Sequence, residues 1–343
     1  MGVSARSVGA LVAGAALLLA AVSGCSAAGP ASVASASASV APASCPAGTL
    51  VSTAAELTDA LSAATPGAVV VLADGRYAGT FTIAASGTAA EPITLCGASG
   101  AVLDGGSTDT GYTLHLQGAS NWRLEGFTVT GGQKGVMLDG SSSNVLTGLT
   151  VTRTGDEAVH LRAGSSDNTV QDSTISTTGL RNARFGEGVY VGTAQSNWCT
   201  VSACSPDASD RNLISGNTIT GTTAEAIDVK EGTTGGRLLA NTLDGSAITE
   251  VDSLIDLKGS GWTVSDNRGT AAPTDGVQVH VIVDGWGAGN IIAANDFAVA
   301  ASGYAVAVVG AARGAGNEVG CDNVATVAGA DAPGPVTNVT CAG

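Results

Sequence analysis

Large aromatic side chains are scarce in this 343-residue chain, at 3% of all residues, and charged residues make up only 13%. A core built on aromatic rings is thereby excluded. Ala, Val, Ile, Leu, Thr, Ser, Asn and Gly dominate, with 49 glycines, which favours many short strands and tight turns over helices. Positive charge is scarce as well. Fourteen Lys and Arg against 29 Asp and Glu leave a formal net charge of −15, which argues against a nucleic-acid partner. A polyanionic ligand would have to find local cations or a bridging metal. The cysteines come without paired CxxC spacing or histidine partners, so a zinc site is not expected.

What is present begins with MGVSARSVGALVAGAALLLAAVSGC, one Arg, an apolar run and then Val22-Ser23-Gly24-Cys25. This resembles a bacterial lipoprotein signal in which Cys25 is lipidated and becomes the new N-terminus. The expectation is an exported protein held at the outer face of the cell membrane by that lipid, or secreted outright. Residues 1–24 form the signal, 25–44 an Ala/Ser/Pro tether, and 45–343 one folded domain. Six further cysteines in an exported chain imply disulfides. Neighbours in sequence favour Cys199–Cys204 and Cys321–Cys341, leaving Cys45–Cys96, although six cysteines allow fifteen pairings.

A repeat runs through the domain. GYTLHLQGASNWRLEGFTVTGG, KGVMLDGSSSNVLTGLTVTRTG and EAVHLRAGSSDNTVQDSTISTTG align, with Leu116, Leu138 and Leu161 spaced by 22 and then 23 residues. Each unit holds two or three short alternating strands and cannot bury its own apolar face, whereas stacked units share one continuous core. A propeller blade needs about 40 residues. The expected fold is all-β, a single-stranded right-handed parallel β-helix. Asn217, Asn241, Asn267 and Asn295 recur at one position, as in an asparagine ladder. Residues 53–64 read as an amphipathic helix capping the open end.

Alternation fixes which side chains leave the core. With Val136/Leu138, Val159/Leu161, Val189/Val191, Ile227/Val229, Ile255/Leu257 and Val281/Val283 inward, one outward column runs Met137, His160, Tyr190, Asp228, Asp256, Ile282. A second runs Asp139, Arg162, Gly192, Lys230, Lys258, Asp284, and Glu157, Glu187 and Glu225 stand at the strand entrance. Lys230 above Lys258 and Asp228 above Asp256 put like charge on like, a placement that favours function over a mere surface ladder.

Two stretches carry a family resemblance. ELTDALSAATPGAVVVLADGRYAGTFTIAASGTAAEPITLCGASGAVLDGG and EAIDVK, followed one turn later by LIDLKGSGWTVSDN, resemble the chondroitinase B and alginate lyase family of polysaccharide lyases. The resemblance implies β-elimination on a uronic-acid polysaccharide. It implies Lys230 as the base and Ca²⁺ held by Glu225; Asp228, which departs from the family motif, and Glu187 are hard oxygen donors that would also suit Ca²⁺. Lys258 stands where the family carries an assisting Arg, and its charge is expected to lower the pKa of Lys230. Thr223 replaces a second family carboxylate.

His160 and Arg162 are further catalytic candidates, and Tyr190, Asp256, Arg184, Trp198 and Asp284 candidate substrate contacts. The insertion 196–210 and the long turn holding Arg181 and Arg184 are expected to wall a cleft, with Asn197, Trp198 and Asp207 facing ligand. Trp122 and Trp262 read as turn packing. Other readings remain open at this point: a glycan-binding lipoprotein using exposed tryptophans, or a glycoside hydrolase using pairs such as Asp228/Asp256 or Glu187/Glu225. A monomer is expected, with a polysaccharide as its partner.

Overall fold

In the computed structural model, residues 45–330 and 332–343 are described, so the signal, the tether and Cys25 lie outside the described residues. Three sheets of 11, 9 and 11 strands run the length of the domain. Successive strands of each sheet come from successive turns and pair in parallel, apart from one antiparallel pair at the C-terminal end. This is the β-solenoid the repeat requires.

Its core is aliphatic. Leu116, Leu138, Leu161, Val191, Val229 and Leu257 stack through adjacent turns of the nine-stranded sheet and are fully or almost fully buried. Buried rings are few: Trp122 and Trp262 are fully buried, and the Trp122 indole donates to Ala85 O at 2.7 Å. The asparagine column is a ladder. Asn217, Asn241 and Asn267 each donate from the side-chain amide to the carboxamide oxygen of the next asparagine, at 2.9–3.0 Å, and Asn295 extends it to Asn323. Each amide also donates to a backbone carbonyl one turn back, so turn groups without sheet partners are satisfied inside the stack.

The helix Ala54–Ser62 is capped by Thr53, whose hydroxyl accepts from the Glu56 N–H while Glu56 accepts from the Thr53 N–H. It turns Leu57 and Leu61 into the end of the core. No described helix is long and apolar enough to cross a membrane. Disulfides join Cys45–Cys96, Cys199–Cys204 and Cys321–Cys341, the neighbour pairing favoured from the sequence.

The sheet that carries the site runs Phe81–Ile83, Tyr112–Gln117, Lys134–Asp139, Val159–Arg162, Val189–Val191, Ile227–Val229, Ser253–Leu257, Asp275–Val279 and Val306–Val308. Its register sets Met137, His160, Tyr190, Asp228 and Asp256 side by side, as alternation requires. One turn further the expectation fails. The strand is Asp275–Val279, so Gln278 rather than Ile282 follows Asp256, and His280 rather than Asp284 follows Lys258. Val281 and Val283 are not core strand residues. Two apolar pairs, Val277/Val279 and Val281/Val283, offer the same alternation, and only the first has a parallel neighbour in Val306/Val308.

Candidate active site

Asp228 is buried at 1% exposure and accepts from two lysines, Lys230 at 2.5 Å and Lys258 at 2.9 Å. Lys258 also pairs with Asp256. The like-on-like stacking of the columns is thus answered crosswise, with Asp228 between two ammonium groups and Lys258 between two carboxylates. Burial alone would raise the Asp228 carboxyl, but Lys230 and Lys258 outweigh it and hold it below its ordinary value. Lys230 behaves in mirror image: burial lowers its pKa, Asp228 raises it more, and the ammonium is held above the usual lysine range. The expectation that Lys258 would depress Lys230 is therefore corrected, because Asp228 stands between the two cations.

Lys230 lies over the ring of Tyr190, 5.0 Å from its centroid. Tyr190 in turn meets the edge of His160, ring centroids 4.5 Å apart. Burial and the nearby charges of Asp228, Glu187 and Glu157 push the Tyr190 hydroxyl well above its ordinary value, so it stays a phenol. His160 is buried rather than exposed. Its Nε2 donates to Gly192 O at 3.0 Å, and its Nδ1 stands 3.4 Å from Glu157 Oε1. Burial lowers its pKa despite that carboxylate.

Glu157 is answered by Lys134, which the register places beside it at the strand entrance. Sequence reading missed Lys134 because Gly135 interrupts the apolar run that marks the strand. The next two carboxylates in that column, Glu187 and Glu225, have no cation of their own. Both are buried, and Glu187 Oε2 has no hydrogen-bond partner. Burial and neighbouring carboxylates push Glu187 well above its ordinary value, and burial with Asp228 pushes Glu225 up to about 8. Oxygens of Glu187, Glu225 and Asp228 lie within 4.8 Å of one another. An orphaned buried carboxylate in an all-oxygen set fits Ca²⁺, with protons the alternative occupants.

A cleft of about 630 Å³ opens beside this cluster, lined by Lys134, His160, Arg162, Tyr190 and Lys230, with Arg181, Arg184 and Phe185 from the long turn and Asn197 and Val201 from the insertion. Arg162 is turned toward Asp139, Nε to Oδ1 at 2.6 Å, and Arg181 toward Asp156, Nη2 to Oδ2 at 2.5 Å. Arg184 remains largely exposed, 3.5 Å from Glu250.

Three expected contacts do not reach the cleft as supposed. Trp198 is 8% exposed, and its indole donates to Thr193 O at 2.8 Å, so it anchors the insertion instead of stacking on a sugar. Asp207 is buried and accepts from the N–H groups of Ala163 and Gly164, both at 2.9 Å. Asp284 lies exposed beside Trp286 around a separate hollow, away from the cleft, because the sheet strand ends at Val279.

The crystal structure of an alginate lyase from Paenibacillus sp. str. FPU-7 matches with a TM-score of 0.77 and 38% identity, over 84% of this chain and 96% of that one. This chain belongs to that enzyme's family. It is a β-helical polysaccharide lyase, as the EAIDVK turn and the opening phrases indicate. A family model described as a Pel9A-like right-handed β-helix region matches residues 38–197. Pectate lyase Pel9A (16% identity, TM-score 0.57, 83% of this chain and 75% of that one) shares the fold. So does a polygalacturonase from Erwinia carotovora ssp. carotovora (14%, 0.60, 89% and 98%). Among curated proteins no sequence matches.

Within the lyase, Thr223 acquires a reason. Its hydroxyl donates to Ala183 O at 2.8 Å, and a Cβ at Gly179 or Gly186 would stand 1.9 Å from Thr223 Oγ1. The position holds the long turn against the cleft. Both carboxylates of the hydrolase pair Asp228/Asp256 are engaged by lysines, Asp228 by Lys230 and Lys258 and Asp256 by Lys258.

Proposed function

We propose that this lyase cleaves a uronate polysaccharide by β-elimination, with alginate the first candidate, at the cleft beside Lys230 and Tyr190. One observation carries the reading. In a chain of net charge −15 with 14 Lys and Arg, five of them, Lys134, Arg162, Arg181, Arg184 and Lys230, line this one cleft, beside the three carboxylates Asp156, Glu157 and Glu187. Such focusing suits a polymer that bears a carboxylate on every sugar.

The chemistry follows from the groups in place. A base removes the proton on the carbon next to the substrate carboxylate. The C–H pair becomes the new double bond, the bond to the glycosidic oxygen breaks, and that oxygen takes up a proton. Lys230, once deprotonated, is the base. Tyr190, kept as a phenol, is placed to protonate the leaving oxygen. Lys258 offsets Asp228 and so keeps the local charge near balance, while Arg184 has the freedom to meet a substrate carboxylate. Glu187, Glu225 and Asp228 would hold Ca²⁺. When bound there, the cation would neutralise a substrate carboxylate and acidify the adjacent proton.

Three disulfides accord with an oxidising compartment, and we place the enzyme outside the cell, tethered through Cys25. Mass spectrometry of digests of alginate and other uronate polymers tests the reaction class. Elimination gives products lighter by one water than those of hydrolysis, with an unsaturated ring at one end. Tyr190→Phe is expected to lower kcat by about 10²-fold or more with little change in KM. Products of hydrolytic mass would contradict the proposal.

A further inference from the structure

The long turn brings an uncovered aromatic ring to the cleft. The chain has four phenylalanines. Phe81, Phe127 and Phe297 are buried at 3% exposure or less, whereas Phe185 is 48% exposed and lines the cleft with Tyr190 and Lys230. Leu180, on the same turn, is equally exposed but does not line that cleft. A single exposed apolar side chain is ordinary on a protein surface. What sets Phe185 apart is its place among the reacting groups and the way its backbone is held. Asn182 caps the short turn Ala183–Phe185: its side-chain oxygen accepts from the Arg184 N–H at 3.2 Å and its carbonyl from the Phe185 N–H at 3.0 Å. On either side of the ring, Ala183 O accepts from the Thr223 hydroxyl and Gly186 O from the Thr178 hydroxyl. The backbone is tied down and the ring is left open, which is the arrangement of a preorganised contact.

The long turn precedes the strand Val189–Val191 and the insertion follows it, so Phe185 on one side and Asn197 and Val201 on the other flank a slot at Tyr190. A pyranose ring is polar at its rim but carries C–H groups on its faces, and a flat aromatic ring covers such a face well. We infer that Phe185 is a stacking platform for one sugar ring of the polysaccharide, the sugar on the side of the leaving oxygen. The side follows from the turns: Phe185 leads into the strand of Tyr190, and Lys230 stands on the next turn, about 4.8 Å along the stack. This rests on the proposed lyase function and adds a binding residue that reads sugar shape and not charge.

The test separates binding from turnover. Saturated mannuronate and guluronate oligosaccharides are titrated calorimetrically into folded Lys230→Ala, with and without Phe185→Ala. Loss of the ring should weaken binding about 3- to 10-fold. The factor should be the same at about 0.05 and 0.5 M salt, because stacking is not screened. Phe185→Tyr and Phe185→Trp should keep the affinity, whereas Phe185→Leu, apolar but not flat, should not. In the otherwise native enzyme Phe185→Ala should raise KM by a similar factor with little change in kcat, and Leu180→Ala should alter neither. Unchanged affinity and KM in folded Phe185→Ala would overturn the inference and leave the lyase function standing. So would a loss that vanishes at high salt, full affinity in Phe185→Leu, or a fall in kcat with KM held. Failure of the wild type to form unsaturated ends on any uronate would instead overturn the lyase reading beneath it.

Discussion

Asp228 holds two lysines at once, and its charge sets the resting state of Lys230. With the folded-state pKa of Lys230 raised, the neutral amine is rare at neutral pH and becomes commoner as pH rises. In the presence of chelator, kcat/KM should therefore climb through neutral into alkaline pH. Asp228→Asn removes the first attraction on the ammonium, so the rising limb should move to lower pH, by about one unit or more. A limb that stays in place would remove Lys230 as the titrating base. The rows of this site were legible in the sequence, since period-two alternation on Ile227/Val229 and Ile255/Leu257 sets Asp228 beside Asp256. The sharing of Asp228 was not. Register places Cα atoms, and only side-chain bending across the columns decides that a carboxylate falls between two ammonium groups. The same limit hid Trp198 and Asp207, whose polar atoms turn inward to hold backbone.

Among the repeating elements, the asparagine ladder couples each turn to the next. Asn267 accepts from Asn241 and donates both to Asn295 and to Leu238 O, all while fully buried. Asn267→Ala strands those partners, and each buried polar group left unpaired costs about 1–3 kcal/mol. A fall in the denaturation midpoint of that order, read by chemical unfolding, is expected. Asn217, Asn241, Asn267 and Asn295 announced the ladder by spacing alone, since identical turns bring identical positions into contact. The slip at Val281/Val283 shows where spacing fails. Once a repeat lengthens, two apolar pairs compete for one strand, and only pairing with Val306 and Val308 chooses between them.

Over the whole molecule, buried carboxylates set how stability follows pH. Glu225 has a folded-state value of about 8 against an ordinary 4.5. Its contribution is fully present below 4.5 and is lost as pH rises through 8. Glu157 runs the other way. Lowered to about 2, it contributes above 4.5, and that contribution is lost as pH falls through 2. Without divalent cations the melting temperature should peak near the ordinary Glu range, about pH 4.5–5, and decline toward pH 9. Glu225→Gln should flatten the alkaline decline. Added Ca²⁺ should raise the melting temperature more at pH 8 than at pH 5, as a ligand favouring the ionised triad would. Equal shifts at both pH values would argue against Glu187, Glu225 and Asp228 as its site. The solenoid itself was legible from self-similarity, whereas the cleft emerges only when the turns are stacked and the long turn and the insertion fold over them.

The most direct measurement is the ultraviolet absorbance of unsaturated uronate formed from alginate by wild type, Lys230→Ala and Lys230→Arg side by side, with circular dichroism confirming that all three are folded. The account expects absorbance to rise with wild type and to fall by at least about 10³-fold in rate for Lys230→Ala. Arginine should give no rescue, since its guanidinium keeps the charge and cannot give up the proton. Undiminished product from folded Lys230→Ala would contradict it.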